Sequence, residues 1–523
     1  MYTFSSRLKT FAFVLMVLGI LGIGYSFFTA PKTVEDVERI LAAEEAHHGG
    51  AHHNAAAHGA EAHGQTTQDA ASHGEEHPNA TDHAIHDSQD VQENADRHIT
   101  GSHDAAPVAD SAATDTAAVA DQDVHDNVSH TEMHHDHAAD VKGHVADAHD
   151  AHAEHEAHAK HVLSQLQNKP WAAVYVAAIF FMLISLGVLA FYAIQNAAQA
   201  GWSPVLFRVM EGITSYLLPG SLIFFALLLA GVMGAHHLFI WMDKDVVAHD
   251  HLIQGKSGYL NVTFFLIRAV IFLGGWNAYR YFSRKNSLAQ DDANDNLYYK
   301  KNFKLAAGFL GFFIVSESIM SWDWIMSVDP HWYSTLFGWY VFASFFVSGI
   351  TSIALITIYL KSRGYLEYVN TSHLHDLAKF MFGISIFWTY LWFSQFMLMW
   401  YADIPEEVTY FVTRIEKYNL PFFGMVVMNF VFPVLILINT DFKRLSWILV
   451  MAGIVILCGH YIDFFNMIMP ATVGDQWFIG AGEIGAVLFF FGLFIFVVFT
   501  ALTKVPLLAK RNPLIEESKH FHY

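Results

Sequence analysis

Ten long apolar stretches recur along the chain, and polar or charged residues separate them. A helix needs about 20 apolar residues to cross a bilayer core of about 30 Å. The pattern predicts ten membrane-spanning helices, at roughly 10–29, 170–195, 217–241, 258–282, 305–327, 336–360, 379–401, 420–440, 446–468 and 480–503. We therefore expect an all-α polytopic membrane protein.

The composition agrees with this prediction, because 54% of the residues are hydrophobic and only 15% are charged. The net charge of −20 comes largely from one acidic insert between the first two stretches, so it gives no reason to expect a nucleic-acid partner. Cys458 is the single cysteine, and no internal disulfide can form.

Lys and Arg residues concentrate in every second connection and at both ends of the chain. Cytoplasmic loops of membrane proteins carry this excess of positive charge. We therefore expect both termini in the cytoplasm and residues 33–165 on the opposite side. Arg7 and Lys9 before the first stretch also suit a signal peptide, but the long apolar run and the lack of a clean cleavage site favour an uncleaved helix.

The insert at 33–165 is rich in His, Ala, Asp and Glu and holds few large apolar residues. Such a segment cannot bury enough apolar surface to offset the entropy lost on ordering, so we predict disorder.

Near the end of this insert a histidine recurs every third residue. On a helix this spacing brings neighbouring imidazoles within reach of one Zn²⁺, Cu²⁺ or Ni²⁺ ion. A solvated linker that binds metal only incidentally is the favoured alternative, because no fixed Cys/His spacing defines a closed site. The residues of this weak metal candidate are His149, His152, His155, His158 and His161.

Ionisable residues recur within or at the ends of the predicted spans, although each costs about 2.5–3.5 kcal/mol at mid-bilayer. With the orientation given above, most of them fall in the outer half of the membrane. The set is His236, His237, Asp243, Arg268, Glu317, Asp323, His460, Asp463 and Glu483.

Three interpretations of this set compete. The residues could hold helices together, with Arg268 paired to Glu317 or Asp323. They could form a quinol site, in which a histidine and a carboxylate take the two hydroxyl protons. They could also form a proton route of titratable groups joined by water. At the level of whole-protein function, a metal-ion transporter and a purely architectural membrane subunit also stay open.

The stretch at 322–338 reads WDWIMSVDPHWYSTLFG. It resembles the hallmark of the ActF family, the second group of NrfD-like membrane subunits in bacterial alternative complex III. The likeness extends over the ten apolar stretches and leaves out the insert.

The resemblance implies two four-helix bundles, at 166–335 and 336–470, flanked by a first helix within 1–32 and a last helix and tail within 471–523. It implies a multi-pass subunit of the bacterial inner membrane, with the His-rich loop in the periplasm. The implied partners, besides lipids, are a multihaem c-type cytochrome, an iron–sulfur subunit, an ActC-like sister subunit and a terminal oxidase. No covalently bound cofactor is implied, and a quinone such as menaquinone is the candidate ligand.

We therefore expect a cofactor-free subunit of a quinol-oxidising respiratory complex that is not catalytic alone. Glu317 and Asp323 would carry protons, and the charge of Arg268 would tune them. The outer relay would comprise His236, His237, His460 and Asp463.

Overall fold

The computed structural model describes residues 1–42 and 140–522, and of 140–155 it describes the backbone only. Ten helical spans in this part of the chain are long and apolar enough to cross a membrane, and the described residues contain no strand. The predicted all-α class with ten spans is confirmed. In chain order, α1 to α10 are Ser6–Thr29, Glu156–Ala197, Pro204–Val232, Val262–Asp292, Leu297–Val328, Phe337–Ser362, Thr371–Ala402, Asn419–Leu437, Ser446–Val473 and Ala481–Leu502.

The third span differs most from its predicted bounds of 217–241. It starts earlier because Pro204 opens the first turn, where its missing N–H leaves no hydrogen bond unmade. It ends at Val232, and Gly234 then adopts a positive φ of 76° that takes the chain out of the helix. As a result Arg208 and Glu211 lie inside α3.

The predicted disordered segment 33–165 is too long at both ends. Residues 34–42 are helical, and a helix that begins at Asp140 continues without a break into α2. Alanine has the highest helix propensity, and Glu156 forms an ion pair of 2.7 Å with Lys160 one turn later. These local preferences make the end of the insert helical. The remainder, 43–139, lies outside the described residues.

Two nearly fully buried helices, α2 and α6, cross at a pair of glycines. A Cβ atom on Gly187 would lie 2.5 Å from the carbonyl oxygen of Phe345, and one on Gly349 would lie 2.8 Å from the amide nitrogen of Val188. Small residues at such a crossing let two backbones approach within van der Waals contact. The glycines therefore set how closely these two helices pack.

Helices α1 and α10 pair along a second seam of small residues. A Cβ on Gly19 would lie 2.4 Å from the amide nitrogen of Phe489, and one on Gly485 would lie 2.8 Å from that of Ile23. Away from this seam most of α1 is exposed. Its apolar outward face suits contact with lipid.

The segment after α10 ties several helix ends together. The Lys510 amide donates to Asp291 Oδ1 at 2.8 Å, and Ser518 Oγ donates to the Trp202 carbonyl at 2.6 Å. Asn370 Nδ2 donates to the Phe521 carbonyl at 2.6 Å. The end of α4 and the α2–α3 and α6–α7 connections are thus joined by one segment.

We predict that Gly187→Ala destabilises the protein, by about 1–3 kcal/mol, because the added methyl meets backbone that cannot move aside. Gly308→Ala is the matched control, since a Cβ there meets nothing within 4 Å. Because alanine favours helix over glycine, the control should be neutral or stabilising by up to about 1 kcal/mol. Thermal unfolding in detergent measures both, and equal midpoints for the two variants would contradict the close crossing.

Candidate functional site

A buried ion pair joins α4 to α5. Arg268 Nε donates to Asp323 Oδ2 at 2.6 Å, and Arg268 Nη2 donates to Asp323 Oδ1 at 2.9 Å. Both side chains are buried. This two-pronged geometry is the strongest form of an Arg–carboxylate contact. Of the two partners expected for Arg268, the structure selects Asp323 and leaves Glu317 apart.

Aromatic rings and carbonyls complete the surroundings of this pair. The guanidinium carbon of Arg268 lies 4.0 Å from the ring centre of Tyr259 and 4.2 Å from that of Phe264. Burial, together with the charge of Asp323, raises the pKa of the Tyr259 hydroxyl, so this hydroxyl keeps its proton. Ser327 Oγ donates to the Asp323 carbonyl at 2.5 Å. The pair is therefore held from several sides.

Glu317 is a buried carboxylate in α5 that forms no ion pair with any described residue. Its Oε1 accepts a hydrogen bond of 3.0 Å from Ser318 Oγ, and its Oε2 has no partner among the described residues. A buried acceptor without a partner is unfavourable, so this oxygen requires a proton or a water molecule. Glu317 is thus one of the groups of the predicted set that are placed to exchange a proton.

A second cluster surrounds Asp463 in α9. Tyr340 donates its hydroxyl hydrogen to Oδ1, while Ser344 Oγ and Trp388 Nε1 each donate to Oδ2 at 2.8 Å. These three donors come from α6 and α7. They hold the carboxylate with neutral groups, where Asp323 has a guanidinium. The predicted set contained Asp463 but none of its three donors, because nothing within α9 points to residues on other helices.

His460 lies one turn before Asp463 and reaches it through a hydroxyl. Its Nδ1 is 2.9 Å from Ser344 Oγ and 3.6 Å from Asp463 Oδ2. Its Nε2 is buried and has no partner in the described part of the chain. The two members predicted from α9 are therefore brought together, with Ser344 as the bridge.

A short π-helix in α8 places another polar group beside α9. Val427–Val431 is wound this way because Pro433 has no N–H to donate to the carbonyl of Asn429. The Asn429 side chain is buried without a hydrogen-bond partner in the described structure. It packs so closely on Gly459 that a Cβ there would lie 2.1 Å from Asn429 Oδ1. Proline within an apolar run was the available signal for this feature.

A third buried cluster, which the predicted set did not contain, lies at the start of α3. Arg208 Nη1 donates to Glu211 Oε2 and Nη2 donates to Asp291 Oδ2, both at 2.6 Å. Tyr192 donates its hydroxyl hydrogen to Glu211 Oε1 at 3.1 Å. The sequence prediction missed this cluster because α3 was taken to start after it. It lies at the opposite end of α4 from Arg268.

Polar side chains occupy the length of the helices between Glu211 and Glu317. They are held mostly by side-chain and backbone oxygens, while the hydroxyl of Tyr279 has no partner in the described residues. The contacts are Asn302 Nδ2 to the Ser283 carbonyl at 3.0 Å, Asn277 Nδ2 to Ser221 Oγ at 3.0 Å, and Trp276 Nε1 to Ser316 Oγ at 2.9 Å.

The two remaining members of the predicted outer relay are His236 and His237, and Asp243 of the wider predicted set follows them in the chain. His236 Nε2 lies 3.1 Å from the Leu227 carbonyl, and its Nδ1 accepts from the Leu238 amide at 3.4 Å. This geometry assigns a neutral imidazole that caps the end of α3. His237 is exposed, and Asp243 accepts from the Asp245 amide at 2.9 Å at the start of a short helix. All three lie beyond the end of α3 at Val232, so the placement of His236 and His237 inside the span was wrong.

Glu483 belongs to none of these three clusters and lies in the first turn of α10. Its Oε2 accepts from the Gly480 amide at 2.8 Å, which caps the helix. Its Oε1 has no partner in the described structure.

The histidines of the weak metal candidate are only partly described. His158 and His161 are exposed, and His161 Nε2 lies 2.9 Å from Gln165 Nε2. The side chains of His149, His152 and His155 lie outside the described residues. Within the described ranges, no group of three or more His, Cys, Asp or Glu residues is arranged to hold a metal ion.

The chain matches no protein-family model. A search of curated proteins also gives no match.

We predict that Arg268→Leu destabilises the protein by about 3–5 kcal/mol, because it leaves the Asp323 carboxylate buried and unpaired. The double variant Arg268→Leu/Asp323→Leu should recover most of this loss in thermal unfolding measurements. Lys417→Leu is the control, because Lys417 and Asp475 form an exposed pair of 3.0 Å that is worth at most about 1 kcal/mol. A double variant no more stable than the single one would reject a dominant penalty from the unpaired charge.

A pH dependence follows from His236. Burial lowers the pKa of His236, so the unfolded chain takes up a proton at a pH where the folded protein does not. This contribution to stability is complete above the ordinary histidine pKa of about 6.5 and is lost as the pH falls from there towards the lowered value. His236→Gln should therefore lose less stability than the wild type between about pH 7.5 and about pH 5. The control His237→Gln, at an exposed position, should follow the wild type; an equal loss in all three proteins would contradict the assignment.

Proposed function

We propose that this protein is a cofactor-free membrane subunit of a quinol-oxidising respiratory complex of the alternative complex III type, and that it conducts protons. The observation that carries the proposal is the unpartnered carboxylate oxygen of Glu317 in the interior of an apolar helix. Ionisable groups at such positions are expensive, and in membrane proteins they commonly mark ion or proton routes.

A route needs titratable groups at more than one depth. Glu211 lies near the start of α3, at the end of the helices where both chain termini emerge, and Glu317 lies further along α5. Asn, Ser, Trp and Tyr side chains fill the interval between them. Water molecules hydrogen-bonded to these groups would complete the connection. The Arg268–Asp323 pair would then set the electrostatic field around Glu317, in place of the carrier role expected for Asp323.

The proposal includes two four-helix bundles, α2–α5 and α6–α9, flanked by α1 and α10. The pairing of α4 with α5 and of α6 with α7 and α9 supports this arrangement. Asp323 and Asp463 lie in the second halves of the fifth and ninth spans, one in each proposed bundle. Internal repeats of this kind are common in transport proteins of the membrane.

The orientation and partners belong to the same proposal. Basic residues at the end of the helices that carries both termini support a cytoplasmic location for that end. The His-rich loop would then lie in the periplasm of a bacterial inner membrane. There it would face the multihaem cytochrome and iron–sulfur partners, with an ActC-like subunit in the membrane and an oxidase as electron acceptor.

The test measures the rate of proton release during quinol oxidation by the purified complex after reconstitution into vesicles. Glu317→Gln and, separately, Glu211→Gln should slow proton transfer by roughly a hundredfold, because an amide cannot take up and release the proton. Glu367→Gln is the matched control, since Glu367 is exposed.

Unchanged proton release in both buried variants would reject the proposed function. Variants that fail to assemble, but keep full proton release in whatever complex does assemble, would favour an architectural role.

A further inference from the structure

Two arginines lie one turn apart in α4, near the end of the helices where both chain termini emerge. Arg284 Nη1 donates to the Glu211 carbonyl at 3.2 Å, so its side chain reaches across to α3. Arg280 is half-buried, and its Nε is buried without an acceptor in the described residues. The like charges of the two arginines act on each other, which is unfavourable for residues one helical turn apart.

The buried acids of this region are already paired with another cation. Glu211 and Asp291 each accept a hydrogen bond of 2.6 Å from Arg208. The charge of Glu211 also reaches the first of the two arginines. Lys285 and Asp292 are exposed, so water and salt screen their charges. Two carboxylates thus face three guanidiniums, and one positive charge is left without a counter-charge.

Arg280 lies at the depth where the apolar surface of α4 ends. The exposed apolar side chains of this helix run from Phe264 to Phe282, and Lys285 is the next exposed side chain. At about 1.5 Å per residue, Arg280 is about 27 Å from the start of α4 at Val262, close to the thickness of a bilayer core. The Cα–Cβ bonds of a helix tilt towards its N-terminus, so this side chain leaves the backbone towards the apolar part of the membrane and away from water.

The chemistry of this surface restricts the counter-ion. A guanidinium matches the oxygens of a phosphate, because it can donate two parallel hydrogen bonds. Tyr281 and Phe282 follow Arg280 in the chain and are 59% and 52% exposed. The acyl chains of a phospholipid can cover these rings, whereas a free phosphate ion cannot. A zwitterionic headgroup brings its own ammonium and would leave the excess positive charge in place. The matching occupant therefore has acyl chains, a phosphate and a net negative charge.

We propose that the phosphate of an anionic phospholipid binds between α3 and α4, with Arg280 and Arg284 as its ligands and its acyl chains on the exposed face of α4. Basic residues at the cytoplasmic ends of membrane spans commonly bind anionic headgroups. The bound phosphate supplies hydrogen-bond acceptors to Arg280 and offsets the repulsion between the two arginines. This inference concerns the chain alone and does not depend on the proposed proton conduction.

The test uses the full chain in detergent micelles and counts bound lipids by native mass spectrometry. Dioleoylphosphatidylglycerol is the anionic lipid, and dioleoylphosphatidylcholine, with the same acyl chains, is the zwitterionic control. Arg280→Gln and, separately, Arg284→Gln each remove one charge from the site, so that either variant can decide the test if the other does not fold. Arg363→Gln is the matched control, because Arg363 is exposed after α6 at the same end of the helices.

We expect one phosphatidylglycerol molecule to bind roughly tenfold more tightly than phosphatidylcholine. Each site variant should weaken its binding by roughly tenfold, as for the loss of a hydrogen bond to a charged group, and Arg363→Gln should bind like the wild type. Equal affinity for the two lipids, unchanged binding in the site variants, or an equal loss in all three variants would overturn the proposal. Displacement of phosphatidylglycerol by millimolar inorganic phosphate would assign the site to a free anion and overturn it as well.

Discussion

A polar atom within the apolar part of this protein can find a partner only in the protein itself or in a trapped water molecule. This constraint explains why Arg268 meets Asp323 through two hydrogen bonds. It also explains why Asp463, which pairs with no Lys or Arg in the described part of the chain, accepts hydrogen bonds from Tyr340, Ser344 and Trp388. The hydrogen bonds of a single carboxylate thus link helices that are far apart in the sequence.

The same constraint gives meaning to the groups that it leaves unsatisfied. Glu317, His460 and Asn429 are each buried with at least one free polar atom in the described residues. Such atoms are costly in a fold whose other polar groups are mostly paired. Unpartnered buried atoms are expected where a group binds a proton or a water molecule only part of the time. This supports the proposal of proton exchange. The carboxylates of the two proposed bundles differ in their partners. Asp323 is paired with a cation, and Asp463 accepts hydrogen bonds from neutral donors.

The ten spans could be predicted because hydropathy over about 20 residues depends only on the local sequence. That Arg268 pairs with an acidic residue of α5 could be predicted, since a single cation inside the membrane requires a negatively charged partner. Which of the two acidic residues it contacts could not be predicted from the sequence. Glu211 could not be assigned, because a helix start depends on a proline turn that lay outside the predicted span. The donors to Asp463 depend on how α6 and α7 pack on α9, and no local pattern encodes that packing. The position of His236 was predicted wrongly because the apolar sequence continues past the end of α3, so the sequence does not show where the helix ends.

The glycine seam between α1 and α10 has a consequence for biogenesis. The two helices that fit together are the first and last spans to leave the ribosome in this stretch of chain, so α1 enters the bilayer long before its complement exists. During that interval its flat glycine face is open to any other helix with small residues. For correct assembly, α1 must remain unpaired while the eight spans α2 to α9 are synthesised. Its glycine face is therefore a defined surface that membrane insertion factors can shield.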